Sequence, residues 1–237
     1  MPDVDVMAFG PHPDDIELGC GGTLIKMVER GRSVVLVDLT RGEMSTRGNV
    51  ERRQREAAEA ARRIGALARE NLGLPDGDIH TDDASKRRIV EVIRAYRPKA
   101  VLAPYYQDRH PDHYHAGQLI YDALFQAGLR RYETGQPHHR PSRLYYYMIW
   151  HEFEPTFIVD ISAQYERKRE AVFAYESQFL PAGGDEQTRL SGAPFGWQME
   201  HRMAYYGSLI SVRYGEAFLI RGRMAVDDPL DVQFATF

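Results

Sequence analysis

Apolar positions along this chain change their period at regular intervals, and those changes mark out its elements. Val4-Asp5-Val6-Met7-Ala8-Phe9 reads as a strand running into the interior of a domain. Leu18 to Arg30 then places Leu18, Leu24, Ile25, Met27 and Val28 at mostly helical spacing, with Gly31 as the stop. Ser33 to Thr40 is a nearly continuous apolar run, the pattern of a parallel strand covered on both faces, and it completes a βαβ unit. A loop from Arg41 to Asn49 leads into a charged helix from Val50 to Leu67. Glu70 to Leu72 follows as a short strand, and Pro75-Asp76-Gly77 as a turn. Asp83 to Tyr96 predicts an amphipathic helix built on Ile89, Val90, Val92 and Ile93 and closed by Pro98. Ala100 to Pro104 is another buried strand, and Asp112 to Leu129 another helix.

The last third changes character. Leu144 to Trp150 and Thr156 to Ile161 read as strands, Tyr165 to Tyr175 as a helix, Leu180 to Trp197 as a long loop and Trp197 to Val212 as a helix. Within it, Gln178 to Gly184 has the composition of a lid or of an oligomer contact. Strands alternating with helices over residues 1–130 predict a doubly wound α/β fold. We expect a Rossmann-like three-layer sandwich with a mostly parallel sheet, in one domain over 1–237 whose smaller C-terminal extension covers 131–237. In such sheets ligands bind beyond the carboxyl ends of strands, at a topological switch point.

Composition narrows the class of partner. The 237 residues are 43% hydrophobic and 27% charged with a net charge of -4, so neither a nucleic acid nor an anionic membrane is an expected partner, whereas a small polar substrate is. One cysteine, Cys20, excludes a disulfide framework and a multi-cysteine zinc site. No apolar run approaches the roughly 20 residues that span a bilayer. With no basic n-region at the N-terminus, the expected compartment is the cytoplasm.

Two polar clusters follow strand ends. Gly10-Pro11-His12-Pro13-Asp14-Asp15 follows the first strand, and Asp108-Arg109-His110-Pro111-Asp112-His113 follows Ala100 to Pro104. Read alone, Pro13-Asp14-Asp15 is the composition of a helix N-cap; two such clusters at strand ends favour a site. A catalytic metal needs three His or carboxylate ligands and an open position, which His12, Asp15 and His113 supply. Zn²⁺ is the simplest ion for that set, and Fe²⁺, Co²⁺ or Mn²⁺ could use it. Asp14 is the candidate general base for an activated water. His110, if protonated, could donate to an oxyanion, with Asp112 placed to orient it and raise its pKa. This constellation describes metal-assisted hydrolysis of an acyl bond. Gly19, Gly21 and Gly22 lack the dinucleotide fingerprint and are expected to permit close helix packing. His115, His138, His139, His151 and His201 have no partner spacing and are assigned to surface or structure.

Pro11-His12-Pro13-Asp14-Asp15, Gly19-Cys20-Gly21-Gly22-Thr23, Leu39-Thr40-Arg41-Gly42-Glu43 and His110-Pro111-Asp112-His113 resemble the LmbE-like (PIG-L) family of zinc-dependent N-acetylglucosamine deacetylases. Pro104-Tyr105-Tyr106 and Ala174-Tyr175-Glu176-Ser177-Gln178-Phe179 resemble the branch that deacetylates N-acetylglucosaminyl-malate in bacillithiol synthesis. The resemblance implies His12, Asp15 and His113 as metal ligands, Asp14 as base, His110 with Asp112 as electrostatic partner, and Arg53 as a contact to the substrate sugar. Arg109 is a second candidate clamp, because malate is dianionic and Arg offers a bidentate fork. Homo-oligomers, hexamers among them, are a further implication. The alternatives are a deacetylase of another glycan such as diacetylchitobiose, an amidase of a thiol-sugar conjugate, and a non-catalytic sugar-binding module. Pro11 stands where the family motif commonly has Ala, and Phe195 lacks the hydroxyl of a Tyr that relatives can carry in the late loop.

Overall fold

Side chains alternate across a strand, so each central strand feeds two cores. In the computed structural model, which describes residues 3–180, 186–192, 194–228, 230 and 232, β1 (Val6–Gly10) sends Met7 and Phe9 to one face of the sheet. There they join Val35 and Val37 of β2 (Val34–Asp38) and Val101 and Ala103 of β4 (Ala100–Pro104). That layer packs on Ile89, Val90 and Ile93 of α3 (Asp83–Tyr96) and Leu119, Ile120 and Ala123 of α4 (Pro111–Ala127). Val6, Ala8, Leu36 and Leu102 face the other way, onto Ile16, Cys20, Leu24 and Ile25 of α1 (Asp15–Glu29). α2 (Val50–Ile64) adds Ile64 and α5 (Tyr165–Phe173) adds Ala171 to that second core.

The sheet has seven strands in the order β3-β2-β1-β4-β5-β7-β6, where β3 is Ala68–Asn71, β5 Arg143–Tyr147, β6 Phe157–Asp160 and β7 Gly215–Leu219. Five are parallel, and β7 runs antiparallel between β5 and β6. This is the expected doubly wound α/β architecture. The chain moves outward from β1 through β2 to β3 and then returns to β4 on the other side of β1, so the switch point lies between β1 and β4. Both polar clusters leave the sheet there.

The main departures from the pattern reading lie in the last third of the chain. β7 was not expected, because Glu216 interrupts its apolar run. That carboxylate is fully buried, 2.5 Å from Nζ of Lys168 on α5, and accepts from the backbone N–H groups of Gly22 and Thr23 in α1. Lys168 in turn donates to the Leu18 carbonyl, so a charged pair enters the hydrogen-bond ladder of α1. The helix after Tyr165 stops at Phe173 and is followed by the short α6 (Glu176–Phe179). α7 (Pro194–Ser208) begins before Trp197 and ends before Val212. Of the lid-like stretch, residues 181–184 lie outside the described residues. Among the described residues no helix is long and apolar enough to cross a membrane.

Candidate metal centre and active site

β1 ends at Gly10, and the short turn that follows carries His12 and Asp14 at the carboxyl edge of the sheet before α1 opens with Asp15. Asp15 opens α1 from the bottom of this turn, and its Oδ2 accepts from the His12 backbone N–H at 2.9 Å. The same oxygen lies 3.1 Å from His12 Nδ1 and 3.4 Å from Nε2 of His113, which arrives on the first turn of α4. These three donors converge within 4.8 Å of one another. Ligand bonds of roughly 2.0 Å in a tetrahedral site imply edges of roughly 3.3 Å, so the observed separations fit a small divalent ion. Burial alone would raise the Asp15 pKa, but the His113 charge and the bonds from His12 hold it below the ordinary carboxylate range. Burial alone would lower the His12 pKa, yet Asp112, Asp15 and Asp76 raise it well above that of a free imidazole. A surplus of buried carboxylate around one imidazole is a cradle for positive charge.

Asp14 sits beside this set on strained backbone, with φ of 126°. Such a conformation costs on the order of 1–3 kcal/mol and persists where the surroundings impose it. Arg53 on α2 imposes it here: Nε and Nη2 both donate to the Pro13 carbonyl, at 2.9 and 2.6 Å, and Nη2 donates to Asp14 Oδ2 at 2.8 Å. The Asp14 side chain therefore caps no helix. Its pKa is pushed up to about 7, chiefly by burial and then by the neighbouring Asp15 charge, against the opposing pull of Arg53. Among the described residues the buried Arg53 Nη1 has no hydrogen-bond partner, and Arg53 lines the cleft, so the residue touches both Asp14 and the space a substrate would enter.

The structure corrects one expectation. The Asp112 carboxylate does not orient His110; it accepts from the backbone N–H groups of Gly77 and Ile79 at 2.8 and 3.2 Å and lies 3.1 Å from His12 Nε2. Among the described residues no hydrogen bond joins the Asp112 carboxylate to the His110 ring, although both come within 4.8 Å of each other beside His12 and the Asp112 charge acts to raise the His110 pKa. His110 is the N-cap of α4, and its Nδ1 accepts from the Asp112 backbone N–H at 3.2 Å. That bond selects the neutral tautomer with its proton on Nε2. The His110 pKa is accordingly lowered rather than raised, first by burial and then by the charges of His113 and His12. A neutral Nε2–H remains able to donate to an oxyanion.

These residues line a cleft of about 310 Å³ together with Met44, Ser45 and Thr46, Gln178, Trp150 and Arg189. Arg109 lies over the Trp150 ring, 4.5 Å from its centroid, and Arg189 approaches the same ring at 5.6 Å. Phe195 is elsewhere: it stacks on Phe179 with centroids 4.8 Å apart and is buried in an apolar cluster.

Sequence reasoning passed over two carboxylates in this site. Asp76 Oδ1 lies 3.0 Å from His12 Nε2, and Asp108 Oδ1 lies 3.5 Å from His113 Nδ1. Asp108 also accepts from the His110 and Trp150 backbone N–H groups. Its place beside His110 was the available signal. Asp76 stood in a turn whose position beside β1 only the sheet order reveals.

Comparison with known proteins places this geometry. The diacetylchitobiose deacetylase of Thermococcus kodakarensis is 33% identical over 227 residues, covering 89% of this chain and 80% of that protein. Among solved structures, the conserved protein TT1542 of Thermus thermophilus is 38% identical with a TM-score of 0.86, covering 94% of this chain and 98% of its own. The N,N'-diacetylchitobiose deacetylase of Pyrococcus horikoshii is 26% identical with a TM-score of 0.78, covering 91% of this chain and 82% of its own. Residues 7–124, which carry both halves of the cleft floor, match the PIG-L model, described as GlcNAc-PI de-N-acetylase, and the chain belongs to that family.

Proposed function

We propose that the protein is a divalent-metal-dependent hydrolase that removes the acetyl group from an N-acetylglucosamine conjugate. Zn²⁺ is the first candidate ion, with Fe²⁺, Co²⁺ or Mn²⁺ as alternatives. The observation that carries this reading is the convergence of His12 Nδ1, Asp15 Oδ2 and His113 Nε2 beside the buried carboxylate of Asp14. When bound, the ion supplies Lewis acidity toward the attacking water and the acyl oxygen. Asp14, near pH 7 in its titration, takes a proton from that water as it adds to the acyl carbon. His110 donates its Nε2–H to the developing oxyanion. Asp14 then returns the proton to the leaving nitrogen, the C–N bond breaks, and acetate and a free amine result. Arg53 holds Asp14 in place and offers Nη1 to the sugar.

For the aglycone we favour an anionic group such as malate. Arg109 and Arg189 flank Trp150 at the cleft wall, and neither forms an ion pair among the described residues. Two free guanidinium groups suit carboxylates, which they can bind bidentately. A second reading, diacetylchitobiose, is favoured by the name of the Thermococcus kodakarensis relative and by Trp150, whose ring could stack on a second sugar. Acetate release from N-acetylglucosaminyl-malate and from diacetylchitobiose, each with and without a chelator, tests both. We expect chelator-sensitive turnover and preference for the malate conjugate. Turnover that persists after complete metal removal would overturn the metal reading, and preference for the chitobiose would overturn the anionic aglycone.

A further inference from the structure

The turn Pro75-Asp76-Gly77 lies beyond β3, far from both motifs in sequence, yet it reaches the cleft floor. Asp112, on the first turn of α4, grips it: Oδ2 accepts from Gly77 N–H at 2.8 Å and Oδ1 from Ile79 N–H at 3.2 Å. Gly77 takes φ of +78°, a conformation that suits glycine and turns the chain so that Asp76 faces His12. Asp76 is then used at both oxygens. Oδ1 lies 3.0 Å from His12 Nε2, and Oδ2 accepts from the Met44 backbone N–H at 2.7 Å. Met44 belongs to the cleft wall.

We infer that Asp76 is a positioning residue for His12, sharing the Nε2 side of the ring with Asp112 so that Nδ1 presents a lone pair to the ion, and that it ties the loop around Met44 to the same ligand. This rests on the metal reading proposed above. The argument is one of hydrogen-bond supply. An imidazole that ligates through Nδ1 keeps its proton on Nε2, and that proton needs an acceptor which also fixes the ring plane. The Nε2–H hydrogen-bonds Asp112 Oδ2 at 3.1 Å, an oxygen that also receives Gly77 N–H, while Asp76 Oδ1 stands 3.0 Å from the same nitrogen as a second carboxylate and, among the described residues, accepts no backbone N–H. Asp76 thus supplies a second negative charge on the Nε2 side of His12 and fixes it to the Met44 backbone. Partners of this kind, when removed, cost about 10- to 100-fold in metal affinity.

The test uses the full chain with Zn²⁺ and Co²⁺ as probes, in competition with a chromophoric chelator. Asp76→Ala removes both acceptors. Asp76→Asn offers one carbonyl oxygen where two N–H donors call, so one contact is lost while shape is retained. Asp78→Asn, at an exposed neighbour that pairs with His80, is the control. We expect Asp76→Ala to bind Zn²⁺ about 10- to 100-fold more weakly than wild type, Asp76→Asn to fall between them, and Asp78→Asn to match wild type. The Co²⁺ absorption bands should shift in both Asp76 variants while the metal-free Tm of Asp76→Asn stays near that of wild type, an outcome that a merely structural role would not give. Asp76 variants that bind Zn²⁺ within twofold of wild type would overturn the assignment of Asp76 alone. A wild-type protein that binds neither ion would overturn the metal reading and this inference with it.

Discussion

Removing the Arg53 guanidinium should move the acid limb of the pH profile, and the size of the move follows from the structure. Arg53 and Asp14 are both buried, with Nη2 and Oδ2 2.8 Å apart. Unit charges about 4 Å apart in an effective dielectric of about 20 interact by about 4 kcal/mol, equivalent to a pKa change of roughly 3 at 1.36 kcal/mol per tenfold step. Water entering the space left by Arg53→Met would recover part of this, so the limb is expected to move by about 1–2 on the pH scale. The sign is upward, because Arg53 opposes the burial that raises the Asp14 pKa to about 7. A general base must be ionised, so activity rises with pH through its pKa, and the limb of Arg53→Met lies at higher pH. Raising the pKa from about 7 to about 8 would reduce the ionised fraction at pH 7 from about a half to about a tenth, and raising the pH would restore it. On the metal reading proposed above a bound ion would lower the limb in both proteins, so the difference between them is the readout. The assay is kcat/KM from pH 5 to 10. If the limb moved by less than about 0.3 on the pH scale and the whole loss appeared at the plateau, Arg53 would act on the substrate and not through Asp14.

The other predictions concern the scaffold and its charges. For the metal-free protein, Asp14 has a folded pKa of about 7 against an ordinary 3.8, so its contribution to stability is present below pH 4 and lost as the pH rises through 7. Asp14→Asn should therefore raise Tm more at pH 8 than at pH 5, and a pH-independent difference would contradict the placement of its titration. Lys168→Met leaves Glu216 buried without its cation and should cost about 3–5 kcal/mol, lowering Tm by roughly 6–20 °C; a loss under about 1 kcal/mol in urea melts would show the pair to be dispensable. Gly19→Ala would set a Cβ 2.1 Å from the buried Tyr147 ring and should destabilise by about 1–3 kcal/mol or more. Gly21→Ala meets nothing closer than 3.7 Å and should be neutral or stabilising by up to about 1 kcal/mol, so equal urea midpoints for the two variants would refute this distinction.

What the sequence revealed was local, and what it hid was assembled across the sheet. His12 and Asp15 stand three apart at one strand end and His113 closes the second polar cluster, so their types and spacing made them a candidate ligand set before the strand order was known, and the fold brings them together. Apolar runs likewise marked β1, β2 and β4, because those strands are covered on both faces. Asp76 was invisible as a site residue because its relation to His12 depends on β2 lying between β3 and β1. Glu216 hid β7 for a different reason: its charge is neutralised by Lys168, 48 positions away, so a polar residue stands in a core position. The hydrogen bond expected between Asp112 and the His110 ring is replaced by bonds from Gly77 and Ile79, which the turn after β3 brings to Asp112. The expectation of close packing at the glycines held at Gly19 and Gly22, where a Cβ would strike Tyr147 and Ile161, but Gly21 has room.

The charges beneath the cleft give it a rigid floor, and on the function proposed above selectivity falls to the walls. Glu17, one turn into α1, is fully buried and receives Arg69 from β3 at 2.5 Å, while Arg69 also forks onto Asp38 at the end of β2. Tyr175 donates to Glu17 and lies under both Arg53 and Arg69. The first half of α1 is thus held by ion pairs from below and by Glu216 further along, so Asp14 and Asp15 have little freedom to follow a substrate. Met44, Trp150, Arg109 and Arg189 sit on connections between elements instead, outside that network. Paired and buried charges add little net stability, but breaking one partner is costly, so substitutions in the floor carry a folding penalty that those in the walls escape. On the function proposed above, exchange of the wall residues would therefore change which conjugate is accepted while the candidate ligand set stays intact.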